Sequence, residues 1–154
     1  MIVIKASVAT KAKPATIWNR WIDFASWTEW NPSLVSAKLT GGLRVGARGE
    51  LCMKKSQTAE FEVVRVEHDK VFDLVSQVWG GTLTFSQQIE VVGGMQRMTI
   101  VVTTEGWASW IYGFSMRYLL RKELPACLTK LALLVEADQV RVEQDLYDAR
   151  FKNQ

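Results

Sequence analysis

The sequence has little of the chemistry that marks metal, redox and nucleophilic sites. Its 154 residues include one histidine and two cysteines, and Cys52 and Cys127 lie too far apart to form a CxxC or a Cys/His metal-binding spacing. His68 stands beside Asp69 and Lys70 in a predicted turn without a second ligand, so we expect it to be solvent-exposed. The sequence has no Gly-x-Ser-x-Gly motif and no phosphate-binding loop. We therefore predict no catalytic residue, no metal and no cofactor.

Long apolar runs and blocks of one charge are also missing. The most apolar stretch, Leu119 to Val135, is interrupted by charged residues and a proline, which excludes a continuous membrane span. The net charge of +3 arises from interleaved basic and acidic residues, which argues against nucleic-acid binding. The apolar run within Met1 to Val8 is too short for a secretion signal. We expect a cytoplasmic protein with reduced thiols, whose oligomeric state the sequence does not indicate.

What the sequence does contain begins with a strand and two short helices. Apolar residues alternate with polar ones over Ile2 to Val8, the period of a half-buried strand. Pro14 to Trp21 carries apolar residues at helical spacing, with proline in the first turn. Phe24 to Trp30 predicts a second short helix, which must stop near Asn31 because the residue before Pro32 is pushed out of helical geometry.

Short β-type runs separated by turn residues then continue to Glu105, as in a meandering antiparallel sheet. The turns are predicted at Gly41-Gly42, Ser56-Gln57, His68-Asp69, Gly80-Gly81 and Gly93-Gly94. In the run near Phe85, apolar and polar residues alternate, so one face of the sheet is dry. The six predicted strands are Leu34 to Leu39, Gly49 to Lys54, Ala59 to Val66, Val71 to Val78, Thr82 to Val91 and Arg97 to Thr104.

A long amphipathic helix from Trp107 to about Gln139 is predicted to cover the dry face, because apolar residues recur there at three- and four-residue steps. Pro125 lies inside this helix and should kink it. The polar residues from Arg141 onward either continue the helix or fray. The pattern predicts one α+β domain over residues 1–154, with a seven-stranded curved antiparallel sheet.

This order of elements, together with the segment Trp27-Thr28-Glu29-Trp30-Asn31-Pro32, resembles the START and birch-pollen-allergen (SRPBCC) superfamily, including its polyketide-cyclase-like members. Gly46 and Gly49, which open a strand, support the resemblance. It covers nearly the whole chain and implies a helix-grip fold, in which the sheet wraps around the C-terminal helix. It also implies a deep apolar cavity for lipids, sterols, polyketides or hormones. Some members of the superfamily are enzymes and some are protein-interaction modules.

The residues expected to line such a cavity lie on the apolar faces of the predicted strands and helix. Since apolar periodic residues are ordinarily interior, core packing is the more common role for each one taken alone. The candidate ligand-binding residues are Leu51, Met53, Phe61, Val63, Leu74, Phe85, Gln87, Met98, Ile100, Val102, Phe114 and Tyr118.

A few polar residues could orient the polar end of a ligand, or simply make structural hydrogen bonds. They are Gln87, Ser76, Tyr118 and, if the register of Val63 persists, Arg65. Glu60 and Glu62 alternate with Phe61, so both carboxylates should face water and not act as a catalytic pair.

Aromatic and basic residues are concentrated around the first half of the long helix. This set could meet anionic headgroups at a membrane surface, or it could pack on the sheet and leave its cations solvated. It comprises Trp107, Trp110, Tyr112, Phe114 and Tyr118, with Arg117, Arg121 and Lys122.

The leading hypothesis is a non-catalytic carrier or sensor of a hydrophobic small molecule or lipid. A second is a cyclase- or aromatase-like enzyme in which Arg65, Tyr118 or Gln87 polarises a carbonyl, which requires at least one buried titratable group. A third is a protein-interaction module whose cavity is filled by its own side chains and whose exposed aromatics bind a partner.

Overall fold

A computed structural model describes residues 1–54 and 58–152. It describes only the backbone of Ile2, residues 112–116 and Leu119. The predicted turn at Ser56-Gln57 and the side chain of Phe114 therefore lie outside the described residues. The elements follow the predicted order. They are β1 (Ile2–Thr10), α1 (Pro14–Ile22), a 3-10 helix (Phe24–Glu29), β2 (Leu34–Leu39), β3 (Arg48–Met53), β4 (Ala59–Glu67), β5 (Val71–Val78), β6 (Gly81–Val92), β7 (Met95–Glu105) and α2 (Ser109–Lys152).

The seven strands form one antiparallel sheet in the order β1-β7-β6-β5-β4-β3-β2. Consecutive strands from β2 to β7 are neighbours, as in a meander, and β1 pairs with β7. The long helix α2 packs against β1 and β7, and Glu123 in its middle accepts a hydrogen bond from Ser33, just before β2. The helix thus bridges the two edge strands and covers the concave face, which confirms the predicted helix-grip fold.

Strand ends differ by one or two residues from the sequence-based prediction, and two helices differ in type or length. The second short element is a 3-10 helix, and Asn31 ends it with a hydrogen bond from its backbone N–H to the Trp27 carbonyl. The helix α2 continues to Lys152, so the alternative that the residues after Arg141 continue the helix is the one observed. Polar pairs one turn apart, such as Gln144 with Asp148, stabilise this extension.

An aromatic cluster fills the end of the sheet nearest α1. Phe72 at its centre lies edge-on to Trp18 and Trp21, and Phe24 stacks on Trp27 and Phe61. All six rings are buried. Aromatic side chains bury large areas and prefer such edge-on and offset contacts, so this end of the interior is closed by the protein's own side chains.

Polar contacts fix the second half of α2 beside α1. The Gln139 side-chain oxygen accepts hydrogen bonds from the Thr16 hydroxyl at 2.6 Å and from the Lys13 N–H at 3.1 Å. Arg20 donates to both carboxylate oxygens of Asp138, at 2.8 and 2.9 Å. Because these contacts lie beyond Leu131, they anchor the helix at the aromatic end of the sheet.

Candidate functional site

The concave face of the sheet is built from rows of side chains that cross the strands in register. One row runs Val63, Leu74, Phe85, Val102 and Ile4 over five neighbouring strands. The next row towards α1 contains Phe72, Gln87, Ile100 and Ala6, and the next row away from α1 contains Ser76, Leu83 and Thr104. Since side chains alternate between faces along a strand, these rows form one continuous inner surface.

Ten of the candidate ligand-binding residues lie on this inner surface or at its rim. Their burial differs, even within one row, since Phe85 is half-buried between buried Leu74 and Val102. The buried ones are Phe61, Val63, Leu74, Gln87, Met98, Ile100 and Val102, and the half-buried ones are Leu51, Met53 and Phe85.

Half-buried apolar residues occur at several places in the interior. They include Leu51 and Met53 of β3, Val78 at the end of β5, Phe85 of β6 and Leu120 of α2. Further along the helix, Leu124, Leu128 and Leu131 are buried. The stripe of α2 that faces the sheet is thus buried from Leu124 onward, and Leu120 before it is half-buried.

Two buried polar atoms on the inner surface lack hydrogen-bond partners. The Gln87 side-chain oxygen and the Thr104 hydroxyl are both shielded from solvent, and neither has a partner among the described residues. Ser76, in the same row as Thr104, donates to the Glu60 carbonyl at 2.7 Å, so its predicted structural hydrogen bond is present. An unpaired buried polar group costs about 1–3 kcal/mol, so the two oxygens are candidate contacts for the polar group of a ligand.

The expectation that Tyr118 and Arg65 face the interior is wrong. Tyr118 is 77% exposed, because it lies off the stripe of α2 that packs on the sheet, which runs through Leu120, Leu124 and Leu131. Arg65 is exposed and pairs with Glu67 at 3.2 Å, because a register shift between Val63 and Arg65 breaks the alternation on which the prediction depended.

Titratable groups are scarce inside the part of the chain that the structure describes. Its buried polar and charged residues are Thr10, Thr16, Ser76, Gln87, Thr99, Thr104 and Gln139. The buried Cys127 thiol has a raised pKa, chiefly because burial disfavours the thiolate and secondarily because Glu123 is near. Glu60 and Glu62 are exposed, as is His68, whose ring lies 5.3 Å from that of Trp18. No group of three potential metal-ligating residues occurs within the described ranges.

A cleft of about 760 Å³ opens between α1 and the loop that joins β2 to β3. Its walls include Trp18, Ile22, Leu39, Leu43 and His68. It reaches the aromatic cluster, since Phe24 and Val66, the strand partner of Phe72, also line it. A ligand-binding experiment has to distinguish this cleft from the surface around Leu51 and Phe85.

Sequence reasoning missed Thr104 on the inner surface and Trp79 at its rim. Thr104 follows Ile100 and Val102 at a period of two, so simple alternation identifies its face. Trp79 precedes the predicted turn Gly80-Gly81 and is 63% exposed; no periodicity in the sequence indicates on which side of the molecule such a turn residue lies.

The chain matches the family model described as polyketide cyclase/dehydrase and lipid transport, over residues 1–136. Solved structures of similar fold include protein NE0264 from Nitrosomonas europaea, with a TM-score of 0.72 and 11% identity, covering 90% of this chain and 97% of that one. Ara h 8.0201 has a TM-score of 0.67 at 11% identity, with 88% and 98% covered. Norcoclaurine synthase from Thalictrum flavum, in complex with dopamine and hydroxybenzaldehyde, has a TM-score of 0.67 at 11% identity, with 88% and 87% covered.

At these identities the likeness to solved structures shows the fold alone. No curated protein matches the chain in sequence. Within the described residues, none of the helices is long and apolar enough to cross a membrane.

Proposed function

Because this chain belongs to the polyketide cyclase/dehydrase and lipid transport family, we propose that it binds and carries a hydrophobic small molecule or lipid between the sheet and the first half of α2. The observation that carries the proposal is the incomplete burial of apolar side chains on the inner surface. Leu51, Met53 and Phe85 are only half-buried, although Leu74 and Val102 beside Phe85 are buried. A ligand that covers such exposed apolar area removes it from water, which stabilises the protein–ligand complex.

The unpaired oxygens define which polar group the ligand should carry. The Gln87 oxygen accepts hydrogen bonds only, and the Thr104 hydroxyl both donates and accepts. A hydroxyl or amide N–H on an otherwise apolar ligand would satisfy Gln87 and recover its desolvation cost. We therefore propose a ligand with an apolar body and at least one hydrogen-bond donor near its buried end.

The positions of the candidate polar residues favour carriage over cyclase chemistry. Arg65 and Tyr118 were expected to polarise a substrate carbonyl, and both are exposed. Gln87 remains on the inner surface, but an amide does not titrate and cannot act as an acid or base. Proton transfer requires a titratable group within hydrogen-bond reach of the substrate, and the buried polar residues named above supply none.

The site is tested by uptake of a fluorescent fatty acid and its displacement by unlabelled apolar compounds. Leu51→Trp places a larger ring on the half-buried part of the inner surface and is expected to lower uptake at least tenfold. Leu43→Trp, the matched control, fills the cleft beside α1 instead and should leave uptake unchanged. Loss of uptake in Leu43→Trp with none in Leu51→Trp would place the ligand in the cleft beside α1 and contradict the proposal.

The role of the unpaired oxygen is tested by Gln87→Met, which keeps the side-chain length and removes the polar atoms. We expect the ligand-free variant to be more stable by about 1–3 kcal/mol, since an unpaired buried acceptor is lost, and to bind donor-bearing ligands more weakly. The neighbouring Gln88 donates to Ser86 at 3.0 Å on the outer face, so Gln88→Met should not change binding. A Gln87→Met variant that is destabilised, with ligand affinity intact, would assign Gln87 a purely structural role.

A further inference from the structure

Exposed aromatic side chains gather around the start of α2. Trp79 is 63% exposed, Trp107 and Trp110 are each 69% exposed, and Tyr118 is 77% exposed. They come from the turn between β5 and β6, the junction of β7 with α2, and the first turns of α2. We call them, together with Arg117, Arg121 and Lys122, the rim patch.

Glycines hold two of these rings in a fixed arrangement. A side chain at Gly80 would come within 2.3 Å of the Ala108 side chain, and one at Gly106 would come within 2.3 Å of the Gly80 carbonyl. The Ala108 N–H donates to that carbonyl at 3.1 Å. This close approach sets Trp79 edge-on to Trp107, with ring centroids 4.7 Å apart. The rings are thus presented to solvent on a rigid support and are not loose surface residues.

The charge of the rim patch is of one sign. From Gly106 to Lys122 the sequence has no Asp or Glu, although the protein as a whole has 16 acidic residues. The nearest acidic residues along the chain are Glu105 and Glu123, and Glu123 is engaged by the Ser33 hydroxyl at 3.1 Å. Arg117, Arg121 and Lys122 are all exposed, and with Tyr118 they line a shallow depression of about 510 Å³.

The basic residues continue the stripe of α2 that is buried further along the helix. Leu124 and Leu128, both buried, follow Arg117 and Arg121 by seven residues, which is close to two helical turns. The stripe therefore changes from aliphatic to cationic residues towards the start of the helix, where Arg117 and Arg121 flank the half-buried Leu120.

We propose that the rim patch docks the protein on the surface of an anionic lipid bilayer, with the start of α2 towards the lipid. Trp and Tyr rings settle at the level of lipid headgroups, and Arg and Lys bind lipid phosphates. A free anionic ligand would engage the cations but would leave four exposed aromatic rings without a role. A second copy of this chain fits poorly, because a symmetric contact would set basic residues against basic residues.

The experiment is sedimentation of the ligand-free protein with vesicles of pure phosphatidylcholine and of phosphatidylcholine with about one-third phosphatidylglycerol. We expect binding only to the anionic vesicles and its loss at high salt. Each basic residue near an anionic surface contributes roughly fivefold to binding, so Arg117→Glu with Arg121→Glu should weaken binding at least thirtyfold. Lys5→Glu with Lys70→Glu makes the same change in net charge at exposed sites outside the rim patch and should retain most of the binding.

The aromatic contribution is tested with brominated lipids, which quench tryptophans that reach the bilayer interface. Trp18, Trp21, Trp27 and Trp30 are buried and supply an unquenched reference signal. Trp107→Ser with Trp110→Ser should remove most of the quenching and leave that reference unchanged. Because no ligand is present, a failure of fatty-acid uptake does not affect this result.

Three results would overturn docking on a bilayer. The first is no sedimentation with anionic vesicles, and the second is equal loss of binding in the two charge-reversal pairs. The third is a concentration-dependent dimer, seen by light scattering and abolished by Trp107→Ser with Trp110→Ser, since a second copy would then cover the patch.

Discussion

Arg20 is the residue that most directly connects the short helices to α2. It donates to both carboxylate oxygens of Asp138 and also contacts Glu29, and its side chain is only 13% exposed. Its pKa is raised, chiefly by the hydrogen bond to Asp138, although burial removes water from the guanidinium and by itself would lower the pKa. A bidentate, largely buried guanidinium–carboxylate pair is among the stronger polar contacts in proteins.

Replacing Arg20 should therefore destabilise the fold. We expect Arg20→Met to lower the free energy of unfolding by about 2–4 kcal/mol, since it leaves the partly buried Asp138 carboxylate without its partner. Urea denaturation measures the change. Arg65→Met removes the exposed pair with Glu67 and should cost less than about 1 kcal/mol. Equal losses for the two variants would show that Arg20 does not anchor the helix.

Cys127 predicts a pH dependence of stability. Its thiol pKa is raised by burial, so the unfolded chain ionises at a lower pH than the folded one. The stabilising contribution is fully present below the ordinary pKa of a thiol and is lost as the pH rises through the raised value. Wild-type protein should lose stability between pH 8 and 10 more steeply than Cys127→Ala in urea titrations. A thiol reagent should also label Cys52, which is half-buried, faster than Cys127.

Among the elements, the turn between β5 and β6 is fixed by its contact with the start of α2. Gly80 has a φ of +76° and no room for a side chain, whereas Gly93 has a φ of +58° and open space around it. Gly80→Ala should cost about 1–2 kcal/mol for backbone strain and about 1–3 kcal/mol more for the clash with Ala108. Gly93→Ala carries the strain alone, so the difference between their unfolding free energies measures the clash. Similar losses in both would show that Gly80 does not set this packing.

The sequence predicted the order and type of the elements well. Apolar residues alternate at a period of two in the strands and recur every three or four residues in α2. The positions that the sequence placed wrongly depend on contacts between distant residues. Arg65 does not lie on its expected face, because a bulge interrupts the pairing of β4 with β5. No local sequence pattern predicts such a bulge. Tyr118 lies off the sheet-facing stripe of α2, a displacement that helical periodicity does not resolve for a helix with aromatic residues on several sides.

For the whole molecule, the inner surface follows from topology more than from any motif. The alternation in each strand identified most of its residues, and the curvature that leaves Phe85 half-buried while Val102 beside it is buried depends on how α2 is anchored. Gln139, Asp138 and Glu136 fasten the helix at the end near α1. We propose that the ligand binds on the part of the inner surface away from these contacts.

The central claim, that this interior holds an apolar ligand, is tested most directly by native mass spectrometry of freshly purified protein, with extraction and identification of the bound compound. We predict a stoichiometric apolar passenger that carries a hydrogen-bond donor and is lost in Leu51→Trp but retained in Leu43→Trp. A ligand-free mass for the wild-type protein, together with no uptake of a fluorescent fatty acid, would contradict the claim.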